Sequence, residues 1–306
     1  MNTPSPAQSG ERSIPVGLVG VTGYTGMELA RLLAMHPRME LVRVTSRKEA
    51  GEKLSALYPF LRGFGMGDLV ITTPDAQDLA RSCDVVFLAI PHGAARNLGA
   101  DLVRKGCKVV DLSADFRLRD KQVYEHWYNL AHNEPDALAE AVYGLPELYA
   151  GRVATSRLVA NPGCYPTASI LGLYPALKHA FVETDDIVID AKAGTTGAGR
   201  GAKTGSLFCE VHDTFKAYSL ASHRHTPEIE QELSLVAGGE MTVSFNTHLL
   251  PVNRGILCTI YTKLKDASRP VEDIHAAYES AYAADAFVRI LPLGQLPELR
   301  SVRGTM

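Results

Sequence analysis

One cysteine stands in the segment Asn161-Pro162-Gly163-Cys164-Tyr165-Pro166-Thr167, directly before an apolar run (Ala168, Ile170, Leu171, Leu173) with helical spacing. Pro166 suits the first helical position, where its missing N–H leaves nothing unsatisfied. Cys164 then lies beside a helix N-terminus, whose unpaired N–H groups and partial positive charge favour an anion. That setting lowers a thiol pKa and makes a thiolate nucleophile. A thiolate attacking a carbonyl needs a partner that carries a proton to and from the developing oxyanion, and histidine does this near neutral pH. Ser222-His223-Arg224-His225-Thr226-Pro227-Glu228-Ile229 offers two. One of them is expected to face Cys164, with His223 the first candidate and His225 the second. A zinc site is not expected, because no further ligands have suitable spacing.

A second kind of chemistry is written in Gly20-Val21-Thr22-Gly23-Tyr24-Thr25-Gly26. Glycines at this spacing between a strand and a helix permit a tight turn and the approach of a pyrophosphate to the helix N-terminus. Gly20, Thr22, Gly23, Tyr24, Thr25 and Gly26 are the candidate contacts. An NAD site usually carries an acidic residue at the end of the second strand. Here that position reads Thr45-Ser46-Arg47-Lys48. The Ser46 hydroxyl and the Arg47 cation suit a 2′-phosphate, so NADP is the expected cofactor, against the plainer reading of a solvated basic loop. Ligands of open α/β sheets bind at the carboxyl ends of strands. Pro91-His92-Gly93 and Asp111-Leu112-Ser113-Ala114-Asp115-Phe116-Arg117 end two such strands. This puts Pro91, His92 and Ser113 near the cofactor, and Arg117 near cofactor or substrate. In the glycine-rich segment 193–201, the amides of Gly197 and Gly199 could hold an oxyanion or the nicotinamide amide. Arg200 there could hold a phosphate or carboxylate. An ordinary flexible loop is the equal alternative.

The elements that must position these groups follow from periodicity. Residues 14–21, 41–45, 84–90 and 108–112 are short, near-continuous apolar runs, as in strands buried on both faces. Residues 24–35 carry apolar side chains at helical spacing. Alternation of this kind predicts βαβ units and a parallel sheet. After Cys164 the pattern changes to a helix over 166–179 and a strand over 187–192. Two β-rich runs follow, 241–247 and 255–263, with a helix over 270–284. This predicts an α+β domain on a mixed or antiparallel sheet. The expected organisation is a disordered tail (1–13), a Rossmann-type nucleotide-binding domain (14–161) and a catalytic, substrate and oligomerisation domain (162–306).

Bulk composition narrows the function classes. The 306 residues carry a formal net charge of −3 and 46% hydrophobic residues. No basic field recruits nucleic acid, and no apolar stretch reaches the length of a membrane span. The five cysteines (Cys83, Cys107, Cys164, Cys209, Cys258) form no C-x-x-C pair. This argues against a disulfide framework and for a reducing cytoplasm. Cys83, Cys107 and Cys258 lie in or beside apolar runs and read as small buried hydrophobes.

Taken together, seven segments resemble the N-acetyl-gamma-glutamyl-phosphate reductases, NADPH enzymes of arginine biosynthesis related to aspartate-semialdehyde dehydrogenase. They are Gly20 to Gly26, Ala89 to Gly93, Asp111 to Arg117, Tyr143 to Leu148, Asn161 to Thr167, Gly194 to Arg200 and His223 to Ile229. The resemblance implies attack of Cys164 on an acyl phosphate, hydride transfer from NADPH to the thioester, and a histidine that handles the proton. It leaves Asn161, Arg117, Arg200 and Arg224 as candidates for holding the substrate, and a homodimer or homotetramer as the assembly. The family's second glycine loop usually carries serines where this chain has Ala193 and Thr196. Members also continue past the segment matching Val302-Arg303-Gly304 with a strand and a long helix. A chain ending at Met306 is therefore expected to bind NADP more weakly and to expose apolar surface. Reduction of carrier-bound aminoadipyl phosphate or of aspartyl phosphate stays open beside this reading. So does a non-catalytic NADP-binding regulatory protein.

Overall fold

The computed structural model describes residues 12–302 and 304. The chain divides into two compact units, Met1–Asn161 and Pro162–Met306. Most of the tail expected over 1–13 lies outside the described residues, as does Met306. Ser13 is described, and its hydroxyl donates to Glu40 at 2.7 Å.

The first unit is built on six strands: β1 (Ile14–Val19), β2 (Met39–Thr45), β3 (Val85–Leu88), β4 (Lys108–Asp111), β5 (Val142–Tyr143) and β6 (Leu158–Ala160). Their order is β2-β1-β3-β4-β6-β5, and every pairing is parallel. Helices α1 (Tyr24–Leu33), α2 (Leu54–Leu57), α3 (Ala76–Ser82), α4 (Ala95–Arg104), α5 (Lys121–Tyr128), α6 (Pro135–Glu140) and α7 (Pro146–Thr155) connect them. Val16, Leu18, Val86, Leu88 and Val109 are fully buried, which explains why these strands read as unbroken apolar runs. Two apolar clusters flank the sheet, one containing Ala30, Leu33 and Leu54, the other Leu79, Leu102 and Phe116. Asp75 and Asp120 cap α3 and α5 by accepting from two amides each. The helix starts nearest the sequence motifs, α1 and α4, have no such side-chain N-cap.

The second unit contains α8 (Cys164–Lys178), β7 (Ile187–Ala193), α9 (Phe208–Val211), β8 (Lys216–Tyr218), α10 (Thr226–Ala237), β9 (Val243–Leu249), β10 (Ile256–Tyr261), α11 (Val271–Ala281) and α12 (Leu299–Val302). Its sheet runs β10-β7-β9-β8, with β7 and β9 parallel and both outer strands antiparallel. In β7, Ile187, Ile189, Ala191 and Ala193 are buried, while the alternate residues are half-exposed, the period-2 pattern of a sheet covered more closely on one face. Helix α8 packs on β10, α10 and α11.

A proline inside α8 shows how this helix is held. Pro175 has no N–H for the carbonyl of Leu171, four residues earlier. Tyr282 Oη donates to that carbonyl at 2.6 Å, and Tyr278 Oη donates to Gly172 O at 2.6 Å. Helix α11 and the residue after it thus close the gap in the backbone ladder of the helix that begins with the cysteine.

Candidate active site

Helix α8 starts two residues earlier than the sequence suggested. Cys164 itself is its first residue, Gly163 is the N-cap, and Pro166 is the third helical residue rather than the first. Pro166 remains tolerated because the N–H groups of the first turn lack intrahelical acceptors in any case. Cys164 is exposed, whereas Gly163, Tyr165 and Pro166 are buried. The thiol is thus presented at the surface by a buried frame. The other thiols differ. Burial pushes Cys83 up to about 12 and Cys258 up to about 11, and raises Cys107 as well. Cys209 is exposed in the short helix α9.

The two histidines occupy the approach to α10. His225 is its N-cap, and Pro227 lies in its first turn. A Cβ built on Gly163 would lie 2.5 Å from His225 Nε2 and 2.8 Å from its Cε1. The imidazole of His225 therefore rests on the residue before the nucleophile, and only glycine leaves room for it. His223 lies close by, with ring centroids 4.9 Å apart. Both rings meet Tyr165, the residue after Cys164, edge-on. Their roles differ by environment. His223 Nδ1 accepts from the His225 amide at 3.1 Å. Burial, reinforced by Arg224, lowers the His223 pKa to about 4, so it stays neutral at neutral pH. Tyr165 and Tyr218 share a hydroxyl–hydroxyl bond of 2.7 Å, and burial holds both phenols above their usual range.

Glu228 is a residue the sequence reading left without a role. It is 1% exposed, and its Oε1 accepts from the Gly163 amide at 2.7 Å. Its place three residues after His225 was visible in the sequence; its burial against another helix was not.

In the first unit, Gly20 sits at φ +88°, and a Cβ there would lie 2.3 Å from the carbonyl oxygen of Ala89. A Cβ on Gly26 would lie 2.3 Å from Gly20 O. The glycines thus let the turn, β3 and the start of α1 close on one another. The Gly20 and Val21 amides donate to Thr45 O, tying this turn to the end of β2. Helix α1 begins at N-cap Gly23 without a side-chain cap and without an acid in its first turn. At the end of β2, Ser46 is buried and its hydroxyl donates to Glu49 at 2.5 Å, while Arg47 and Lys48 are exposed. The acid at this strand end was missed because it comes three residues beyond Ser46.

Ser113 is 1% exposed; its hydroxyl donates to Asp111 at 2.7 Å and accepts from the Asp115 amide at 3.0 Å. It braces the loop that follows β4. Burial pushes Asp111 beside it up to about 7. Arg117 is 6% exposed and donates to the carbonyls of Asn161 at 2.7 Å and Leu112 at 2.9 Å. These bonds fix its guanidinium against the loop that ends β4 and the last residue of the unit. Asn161 also donates its amide to Asp111 O at 2.8 Å, so the last residue of this unit is fixed directly ahead of Pro162-Gly163-Cys164. Asp115, unassigned in the sequence, is fully buried and accepts from the amides of Gly93, Ala95 and Arg96 and from Tyr124 Oη. It caps α4 from another loop. Pro91 is exposed, and His92 Nδ1 accepts from the Ala114 amide at 2.9 Å.

In the second unit, Gly197, Gly199 and Arg200 are exposed, as is Arg224. Thr195 and Thr196 are tied by hydroxyl and amide to Val252 O and Asn253 O. A concavity of about 320 Å³ at the end of α7 involves Arg152, Arg157 and Glu140. Arg157 donates there to Val103 O at 2.7 Å in the last turn of α4, which makes it a helix-end contact rather than part of the site.

Comparison with known proteins places these features in a family. Residues 15–156 match the family model for the NAD binding domain of semialdehyde dehydrogenase, and residues 164–306 that for its dimerisation domain. The N-acetyl-gamma-glutamyl-phosphate reductase of Ectopseudomonas mendocina is 50% identical over 291 residues, covering 95% of this chain and 83% of the relative. That of Pelotomaculum thermopropionicum is 48% identical over 293 residues, covering 96% and 84%. Among solved structures, aspartate semialdehyde dehydrogenase II of Vibrio cholerae, complexed with ASA, aligns with a TM-score of 0.67 at 12% identity over 97% of this chain and 86% of its own. Aspartate semialdehyde dehydrogenase with NADP from Candida albicans gives 0.63 at 18% identity over 87% and 75%. These two likenesses show the fold.

Proposed function

The chain belongs to the semialdehyde dehydrogenase family, and we propose that it catalyses the NADPH-dependent reduction of N-acetyl-gamma-glutamyl phosphate to N-acetylglutamate 5-semialdehyde and phosphate, in arginine biosynthesis. The observation that carries the reading is an exposed cysteine opening α8 with the His225 imidazole seated on the glycine before it. Relatives about 50% identical over nearly the whole chain bear the name of this reductase.

The reaction follows from what these residues can do. The Cys164 thiolate, favoured by the N-terminal end of α8, attacks the acyl phosphate carbonyl and phosphate departs. A thioester remains on the sulfur. NADPH, when bound, supplies the hydride that reduces it. His225 gives a proton to the oxygen of the thiohemiacetal so formed, and takes it back as the carbon–sulfur bond breaks and the aldehyde leaves. His225 suits this role better than His223, because a group held near 4 is a poor proton donor at neutral pH. His223 instead orients His225 through the backbone bond to its Nδ1. Covalent catalysis replaces one difficult step by two easier ones.

The residues of the first unit fit a dinucleotide. The Gly20–Gly26 turn closes backbone on backbone at Gly20 and Gly26, and Thr22, Gly23, Tyr24 and Thr25 border the uncapped start of α1, whose amides suit a pyrophosphate. Ser46 and Glu49 suit the ribose, and the exposed cations Arg47 and Lys48 suit a 2′-phosphate, which supports NADP. Pro91 and His92 complete the rim. Arg200 and Arg224, with the Asn161 side chain, are our assignment for the substrate's phosphate and carboxylate. The dimerisation-domain match supports a homodimer or homotetramer, to be measured by light scattering. No helix among the described residues is long and apolar enough to cross a membrane, and five free thiols suit the cytoplasm.

The test is reduction of NADP with N-acetylglutamate 5-semialdehyde and phosphate. Turnover should require phosphate and fall by at least about 10³-fold in C164S, with NADP still bound. Turnover that survives C164S would refute the mechanism; turnover without phosphate would refute the acyl-phosphate reading.

A further inference from the structure

We infer that Glu228 is a positioning residue for the reaction, setting the nucleophile against its proton partner through the Gly163 amide. The inference rests on Cys164 and His225 being the reacting pair. Glu228 is buried at 1% exposure in the first turn of α10, and its Oε1 takes the Gly163 N–H at 2.7 Å. Gly163 is the N-cap of α8, and the next residue is Cys164. His225 is the N-cap of α10. This bond joins two helix starts at the point where each carries one half of the chemistry.

The geometry leaves little slack around that bond. The space where a Gly163 Cβ would stand is filled by the His225 ring, at 2.5 Å from Nε2 and 2.9 Å from Cδ2. If Gly163 is no longer held, either the loop or the ring must move, and the thiol moves with the loop. On its far side, the His225 amide is held by His223 Nδ1 at 3.1 Å. Each of the two reacting residues is thus braced by its backbone or that of its neighbour, by a side chain that does not itself react. A buried carboxylate is costly unless its oxygens are bonded. The Gly163 amide and the positive end of α10 together offset that cost.

A role by position differs from a role by charge or proton transfer, and two substitutions separate them. E228Q keeps an acceptor oxygen at the same reach without the charge. E228D keeps the charge one methylene short of Gly163. Steady-state turnover with the semialdehyde, phosphate and NADP is measured for both, with KM for NADP and circular dichroism alongside. We expect E228Q within about fivefold of the wild-type kcat and E228D lower by roughly 10²-fold, since a misplacement near 1 Å has an effect of that order. KM for NADP should move less than about twofold in either, because a helix-to-helix brace in the second unit touches no nucleotide residue. A deeper loss in E228Q than in E228D, equal losses, or no loss in either overturns the positioning role. Should E228D not fold, E228A takes its place: a kcat loss beyond that of E228Q with KM for NADP unchanged supports the role, and wild-type kcat in E228A overturns it. Wild-type turnover that survives C164S would instead remove the underlying reading, so the two failures are distinguishable.

Discussion

Helices α1 and α8 both begin at a glycine N-cap, with no capping side chain and no acid in the first turn. The local device is the same; what closes around it differs. At α1 the neighbouring glycine Gly20 is packed mainly against backbone, the Ala89 carbonyl at 2.3 Å from a would-be Cβ. At α8 the glycine is packed against an imidazole, and the first helical residue is a cysteine. A helix N-terminus offers the same partial charge and amides in both cases. An arrangement of backbone alone can bind an anion, while one that brings in a thiol and an imidazole can make and break bonds. The comparison teaches that the chemistry resides in what tertiary packing delivers to the helix start.

The contrast can be broken most forcefully at the imidazole. H225N should lower kcat by about 10²- to 10⁴-fold, the usual range for removing a general acid–base. H223N should fall less, because His223 acts through the His225 amide. Parity between the two, or the reverse order, would show that the proton carrier is assigned to the wrong ring. Their pH–rate profiles give a second readout: the limb due to the acid–base should vanish in H225N and persist in H223N.

Matched alanine substitutions sharpen the comparison next. G20A places a methyl against backbone at φ +88°, a strain of roughly 1–3 kcal/mol before any clash is counted. It should weaken NADP binding and lower the melting temperature, while iodoacetamide labelling of Cys164 continues at the wild-type rate. G163A must displace the His225 ring instead, so kcat should fall with KM for NADP little changed. If both variants lose the same property, the two helix starts are not functionally distinct.

The smallest effect is thermodynamic. Burial holds His223 near 4, below its ordinary 6.5, so the native state resists its proton. Above pH 6.5 neither state is protonated there and this contribution to stability is complete. As pH falls from 6.5 through 4, the unfolded chain takes up a proton that the native chain does not, and stability is lost. The loss is at most about 3 kcal/mol. Urea unfolding at pH 7 and pH 5 should therefore show a wild-type decline that is reduced in H223N. An equal decline in both would remove His223 as its source.

How far the molecule was legible depends on the range of the interactions. The parallel sheet, the glycine turn and the helix after Cys164 follow from local patterns, and their bounds shift by only a few residues. Strand β7, expected over 187–192, spans Ile187–Ala193. The helix expected from Pro166 starts at Cys164, because a proline at the third position of a first turn forfeits no intrahelical bond. The less legible residues are those whose partners are far along the chain. Arg117 carries a cation at the right strand end, and its guanidinium reaches the carbonyl of Asn161, 44 residues away. Asp115, unassigned in the sequence, gathers the start of α4 from 19 to 22 residues away.

By itself the sequence determined which chemistry was on offer: a cysteine at a helix start, two nearby histidines in one segment, and a glycine turn between strand and helix. Period and spacing are local, so they are written along the chain. The tertiary structure decided which histidine rests on Gly163, which is held neutral by burial, and that Glu228 reaches across 65 residues to brace the loop. Those outcomes depend on desolvation and on contact between distant elements, and neither exists until the chain has folded.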